Sequence, residues 1–133
     1  MTNKVLHWLG LGKRRPTPPL EAKTVDQATI QDVTDATFVE VVLQADRLVV
    51  VDFWAEWCQP CQIMSAYVTF LAQEFGEQIL LAALDVDENS ETPAQHDVMG
   101  LPTLLLFRQG AVVDRIVGIE PYEQIRDRVA GHL

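Results

Sequence analysis

Leu48-Val49-Val50-Val51-Asp52-Phe53-Trp54-Ala55-Glu56-Trp57-Cys58-Gln59-Pro60-Cys61-Gln62 decides the reading of this chain. Leu48 to Val51 is an apolar, β-branched run, the pattern of a strand buried on both faces. Past Cys61 the apolar residues Ile63, Tyr67, Phe70, Leu71 and Phe75 recur at helical spacing. The protein's only two cysteines therefore sit where a strand hands over to a helix. The first N–H groups of a helix lack partners within it and favour a nearby anion. A cysteine there is more readily a thiolate, the reactive form of the side chain. Pro60 suits the first turn, where its missing N–H is not needed. The spacing sets Cys61 one turn beyond Cys58, with Cys58 expected at the solvent-facing tip and Cys61 deeper.

Three uses of the cysteine pair compete. A zinc site needs two further ligands, and the histidines (His7, His96, His132) are scattered without ligand spacing. A static structural bridge this short would close almost no loop and constrain the unfolded chain little. A reversible dithiol/disulfide pair fits the placement best. No metal is expected.

The 133 residues bound a single domain, and no apolar run approaches the length of a membrane span. Residues 1–24 hold five cations (Lys4, Lys13, Arg14, Arg15, Lys23) against Glu21, a net +4. With −9 overall, the remainder carries −13. An acidic body argues against nucleic acid as a partner. Within the first 24 residues Val5, Leu6, Trp8, Leu9 and Leu11 cluster ahead of the basic run, and Pro16, Pro18 and Pro19 break any helix. This stretch reads as a flexible N-terminal extension to a domain spanning 25–133. A short amphipathic anchor touching a membrane surface is the weaker alternative. A secretory signal is not expected, because His7 and Gly10 interrupt the apolar run.

In chain order, Ala28–Val33 reads as a first strand, followed by a helix capped at Thr34 with Phe38, Val41, Val42 and Ala45 on its apolar side. The cysteine-bearing helix stops at Gly76. Ile79–Val86 is a further strand. Thr92-Pro93-Ala94-Gln95 reads as a short capped helix start. Thr103–Phe107 and Ala111–Val117 form a hairpin about Gln109-Gly110. Tyr122, Ile125, Val129 and Leu133 mark a last helix. The order implies an α/β fold, a mixed sheet with helices on both faces.

Val51 to Cys61 resembles the active-site stretch of the thioredoxin family. Gly100-Leu101-Pro102-Thr103 resembles that family's cis-proline loop, and Val117-Gly118 the glycine-bearing edge of its substrate groove. The motifs fall in family order over roughly residues 28–133. The resemblance implies the thioredoxin fold and a cytoplasmic, monomeric thiol–disulfide oxidoreductase that reduces protein disulfides. Its redox centre would be the Cys58–Cys61 disulfide, with no bound cofactor. Electrons would come from NADPH through a thioredoxin reductase. Cys58 would attack, Cys61 resolve, and Asp52, its pKa raised by burial, would serve as base for Cys61. Trp57, Pro60, Met99, Leu101, Pro102, Val117, Gly118 and Ile119 would receive substrate, with Pro102 cis and its main chain offered to an extended peptide. Trp54 is expected in the core, and His96 and His132 on the surface without special duty. Gln59, Gln62, Ala66 and Ala83 depart from residues common in the family (glycine, lysine, proline and lysine). A thioredoxin-like co-chaperone or assembly factor binding partners through the same groove is the rival reading.

Overall fold

The computed structural model describes residues 29–133. The expected N-terminal extension, residues 1–24, and its alternative as an anchor lie outside the described residues. Strands β1 (Ile30–Asp32), β2 (Leu48–Trp54), β3 (Ile79–Asp85), β4 (Thr103–Arg108) and β5 (Ala111–Val117) form one sheet in the order β1-β3-β2-β4-β5. The β1–β3 and β3–β2 pairs are parallel, and the β2–β4 and β4–β5 pairs are antiparallel. Helices α1 (Val39–Leu43), α2 (Gln59–Phe75), α3 (Glu91–Gln95) and α4 (Tyr122–Gly131) complete the fold. This is the mixed α/β architecture that the apolar runs require.

The apolar run of β2 is buried because β3 and β4 flank it and helices cover both faces. Its side chains alternate. Leu48 and Val50 face Met64, Val68 and Leu71 of α2 and Ile125 and Val129 of α4. Val49, Val51 and Phe53 face Phe38 and Val42 beside and within α1. Each fully buried side chain of this size stabilises the fold by about 1.5–3 kcal/mol.

Helix α2 buries a different stripe from the one its aromatic residues outline. Cys61, Met64, Val68, Leu71, Ala72 and Phe75 face the sheet, whereas Ile63 and Phe70 are exposed. Phe70 instead joins Tyr67 and Tyr122 in an aromatic cluster outside the sheet, with ring centroids 5.5–6.4 Å apart. Ala66 leaves α2 unbroken over 17 residues, and Gly76, at φ 56°, ends it as expected.

Three further expectations change. The helix after β1 is only five residues long. Its Gln44 N–H reaches back to the Val39 carbonyl (3.0 Å), a wide turn in a segment of β-branched valines that favour helix little. Thr34 caps the turn before it, exchanging hydrogen bonds with Thr37. Helix α3 begins at Glu91, before Thr92, and its cap is remote: the Asp35 carboxylate accepts from the Glu91 and Thr92 N–H groups (3.1 and 2.8 Å). Burial raises the pKa of that carboxyl, but the Thr92 side-chain bond and those two backbone bonds outweigh it, leaving the pKa below the usual value. Leu133 lies beyond α4 and is exposed.

The β4–β5 hairpin turns at Gln109 and Gly110, both at positive φ (53° and 82°). Leu106 pairs with Asp114 and Phe107 with Val112, so Val113 is an extra residue bulging from β5.

Candidate active site

Cys58 is the N-cap of α2. Its extended backbone (φ −89°, ψ 108°) brings its sulfur to within 3.2 Å of the Cys61 N–H, which donates to it. Pro60 occupies the first turn. Cys58 and Cys61 are joined in a disulfide with their Cα atoms 5.3 Å apart. The expected contrast between a solvent-facing and a buried cysteine is absent from this oxidised form: Cys58 is 4% and Cys61 3% exposed. The bond draws both side chains into a small cluster with Ala55, against which Trp54, Val86 and Leu101 pack. Trp54 thus belongs to the packing beneath the disulfide, as expected of a core residue.

The two other motifs converge on the same end of the sheet. The Leu101–Pro102 peptide is cis. Gly118, at φ 84°, donates its N–H to the Pro102 carbonyl (2.8 Å). That bond ties the cis-proline loop to the end of β5. A Cβ on Gly100 would meet Val117 Cγ1 at 3.8 Å, so the loop and β5 stand side by side. The Thr103 hydroxyl donates to the Gly100 carbonyl (2.6 Å), fixing the loop from below. Trp57, Met99, Val117 and Ile119 are exposed apolar side chains, with Met99 88% and Trp57 70% open to solvent. Gln59 and Pro60 are exposed and Leu101 half-buried, while Pro102 is buried.

Asp52 is fully buried, not an exposed strand-end residue. It lies between Ala83 of β3 and Leu104 of β4. Strand alternation puts its side chain on the α2 face with Leu48 and Val50. Ala83, where a lysine is common in the family, is thus its lateral neighbour and brings no cation.

Several groups around the site carry no local sequence signal. Asp87 accepts a hydrogen bond from the Trp57 indole (3.0 Å), and its own N–H donates to the Asp85 carboxylate (2.9 Å). His96 is not an idle surface residue. Its ring packs against Phe38 and Phe107, with centroids 5.5 and 5.4 Å away. Burial, then the nearby Arg115 guanidinium, pushes its pKa below the ordinary value of 6.5. His132 is also engaged, its Nε2 lying 3.1 Å from the Asp114 carboxylate that pairs with Arg128. The Arg128 hydrogen bond, foremost, holds the Asp114 carboxyl below its usual range.

Two cysteines already bonded across one helical turn can take up two electrons and two protons and return them. That reversible exchange defines the class of protein, a thiol–disulfide oxidoreductase. The thioredoxin family model matches residues 29–131. Among curated proteins the chain is 41% identical to a thioredoxin of Alicyclobacillus acidocaldarius over 74% of this chain and 92% of that one. It is 41% identical to a thioredoxin of Listeria monocytogenes (72% and 91% covered) and 38% identical to thioredoxin 1 of Synechococcus elongatus (76% and 94%). The chain belongs to the thioredoxin family. It is a thiol–disulfide oxidoreductase with a redox-active Cys58–Cys61 disulfide, acting on protein disulfides. The co-chaperone reading is not favoured: both cysteines are present and bonded.

Proposed function

We propose that Cys58 is the attacking thiolate, Cys61 the resolving thiol and Asp52 the base that serves Cys61. In the reduced protein the Cys58 thiolate attacks one sulfur of a substrate disulfide. The substrate S–S bond breaks, its leaving thiolate takes a proton, and a mixed disulfide forms. Cys61 passes its proton to the Asp52 carboxylate and attacks the Cys58 sulfur. The second substrate thiol departs, and the Cys58–Cys61 bond is restored. The substrate gains two electrons from the protein and two protons, one from solvent for the first leaving thiolate and one from Cys61, passed on by Asp52, for the second. The single observation that carries this assignment is the Cys61 N–H directed at the Cys58 sulfur, since the same donor stabilises a thiolate there.

Trp57, Pro60, Met99, Leu101, Pro102, Val117 and Gly118 form the groove that receives an extended peptide around its disulfide. NADPH, through a thioredoxin reductase, recharges the protein, which acts as a monomer in the cytoplasm. Residues 25–133 carry the activity, and residues 1–24 are an extension that the chemistry does not need. The reach of the family match, 29–131, supports that boundary. Insulin reduction tests the reading. The full chain, supplied with NADPH and a bacterial thioredoxin reductase, should precipitate insulin B chain, as should the protein lacking residues 1–24. Inactivity of the full chain with both the reductase and dithiothreitol would overturn the reading. Activity with dithiothreitol alone would remove only the NADPH route.

A further inference from the structure

The peptide groove has two walls, the loop running from His96 to Pro102 and the end of β5 at Val117–Gly118. Near the disulfide they are joined by the Gly118–Pro102 hydrogen bond. At the other end of the loop they are joined by one side chain. Arg115, two residues before Val117 on β5, donates from Nη2 to the His96 carbonyl (2.7 Å) and from Nη1 to the Asp97 carbonyl (3.2 Å). We propose that Arg115 is a positioning residue for substrate: its guanidinium, forked over two successive carbonyls, fixes the Met99–Pro102 wall against the β5 wall and so sets the groove that a peptide enters.

Three observations carry the inference. The loop starts at Asp97, whose left-handed φ of 56° closes the end of α3, with the Val98 N–H bonded to the Pro93 carbonyl (2.9 Å), and which stands between the two carbonyls that Arg115 meets. Arg115 grips the carbonyls on both sides of that residue's N–Cα bond. The His96 ring packs against Phe38 and Phe107 on the sheet face that Arg115 shares through its pairing with Leu105, so the carbonyl that Arg115 grips belongs to a residue already anchored there. Arg115 is itself held, because the Arg128 guanidinium donates to its carbonyl (3.0 Å) and its N–H donates to Asp114 (2.8 Å). A planar fork can serve two carbonyls at once, whereas an ammonium is a single point of charge. Arg115 pairs with Leu105 on the α1 face of the sheet, whereas Asp52 pairs with Leu104 on the α2 face, so its effect should fall on peptide binding and spare the exchange chemistry.

The inference rests on the groove reading proposed above. Its test compares two substrates with dithiothreitol as electron source: an uncharged cystine-bridged peptide and 2-hydroxyethyl disulfide, which is too small to span the walls. Arg115→Met keeps the apolar stem and removes the fork. It should raise KM for the peptide roughly 3- to 10-fold, the scale of one ordinary net hydrogen bond, since the lost fork acts on the peptide only through the wall it holds. Its kcat for the peptide and its rate with 2-hydroxyethyl disulfide should stay at the wild-type values. Arg115→Lys should raise the peptide KM by less. If Arg115→Met does not fold, Arg115→Lys carries the same readout. An unchanged peptide KM, or equal slowing with both substrates, would overturn the proposal. Failure of the wild-type protein to reduce either substrate would instead remove the redox assignment, and this inference with it.

Discussion

The two cysteines cannot be told apart by exposure, so their difference has to come from the helix. Cys58 stands outside the first turn as its cap, with an N–H pointed at its sulfur, and Cys61 stands inside it. After reduction Cys58 should alkylate first with iodoacetamide. Cys61→Ser should accumulate mixed disulfides through Cys58, visible by mass spectrometry of the trapped complex. Preferential labelling of Cys61 would reverse the roles. Asp52, sealed beneath α2, has its test in the second step. Asp52→Asn keeps the shape and removes the proton acceptor. Release of substrate from the mixed disulfide should then slow by about 10²-fold, while formation of the mixed disulfide changes far less. Stopped-flow tryptophan fluorescence can follow the two steps separately. Ala83 needed the strand register to show its significance: Cα pairing sets it directly beside Asp52.

Which elements form was legible, because their signals are local. The apolar run of β2, Gly76 at the end of α2 and Gln109-Gly110 at the hairpin each act within a few residues. What escaped local reading depends on distant partners. The cap of α3 is supplied by Asp35, more than fifty residues upstream, so Thr92 was an attractive but mistaken start. The buried stripe of α2 is chosen by fit to the sheet, and Tyr67 and Phe70 find a partner in Tyr122 of α4 that no α2 pattern contains. There burial, then the Glu74 hydrogen bond, pushes the Tyr122 phenol up to about 12. The redox centre was legible for the opposite reason, its parts being contiguous or carried by short motifs, whereas Asp87, His96 and Arg115 act through tertiary contacts. His96 gives the segment after α3 a pH dependence. Arg115 of β5 and Asp97 of its own loop are the charges that face it, the first opposing and the second favouring protonation, while Phe38 and Phe107 bring none. Its folded pKa is lowered, so the unfolded chain binds the proton more readily. The stability it contributes is present above about 6.5 and is lost as pH falls through the folded value. The Tm should therefore drop between pH 7.5 and pH 5 by more in the wild type than in His96→Phe, measured by calorimetry.

After Lys23 the sequence contains no further lysine, and its only fixed cations are Arg47, Arg108, Arg115, Arg126 and Arg128. A body at net −13 repels itself, and mobile ions screen that repulsion. Raising sodium chloride from 10 to 150 mM should increase the Tm, and an unchanged or lower value would mean that the ion pairs of Asp114 and Glu74 lose as much as the repulsion does. The bulge at Val113 bears on a different hazard. Strands β1 and β5 are the two borders of the sheet, and a border offers unpaired main-chain groups to any other chain in solution. At three residues, β1 is too short to template much. The longer β5 begins with Ala111, Val112 and Val113, all exposed and apolar, the composition from which intermolecular sheets grow. The supernumerary Val113 interrupts that run's regular spacing of donors and acceptors just before the charged pair Asp114 and Arg115. Deleting Val113 would straighten the border into a seven-residue template reduced by one, continuous and flat. Light scattering of the concentrated protein should then reveal fibrillar self-association that the natural chain, kinked at this one position, escapes.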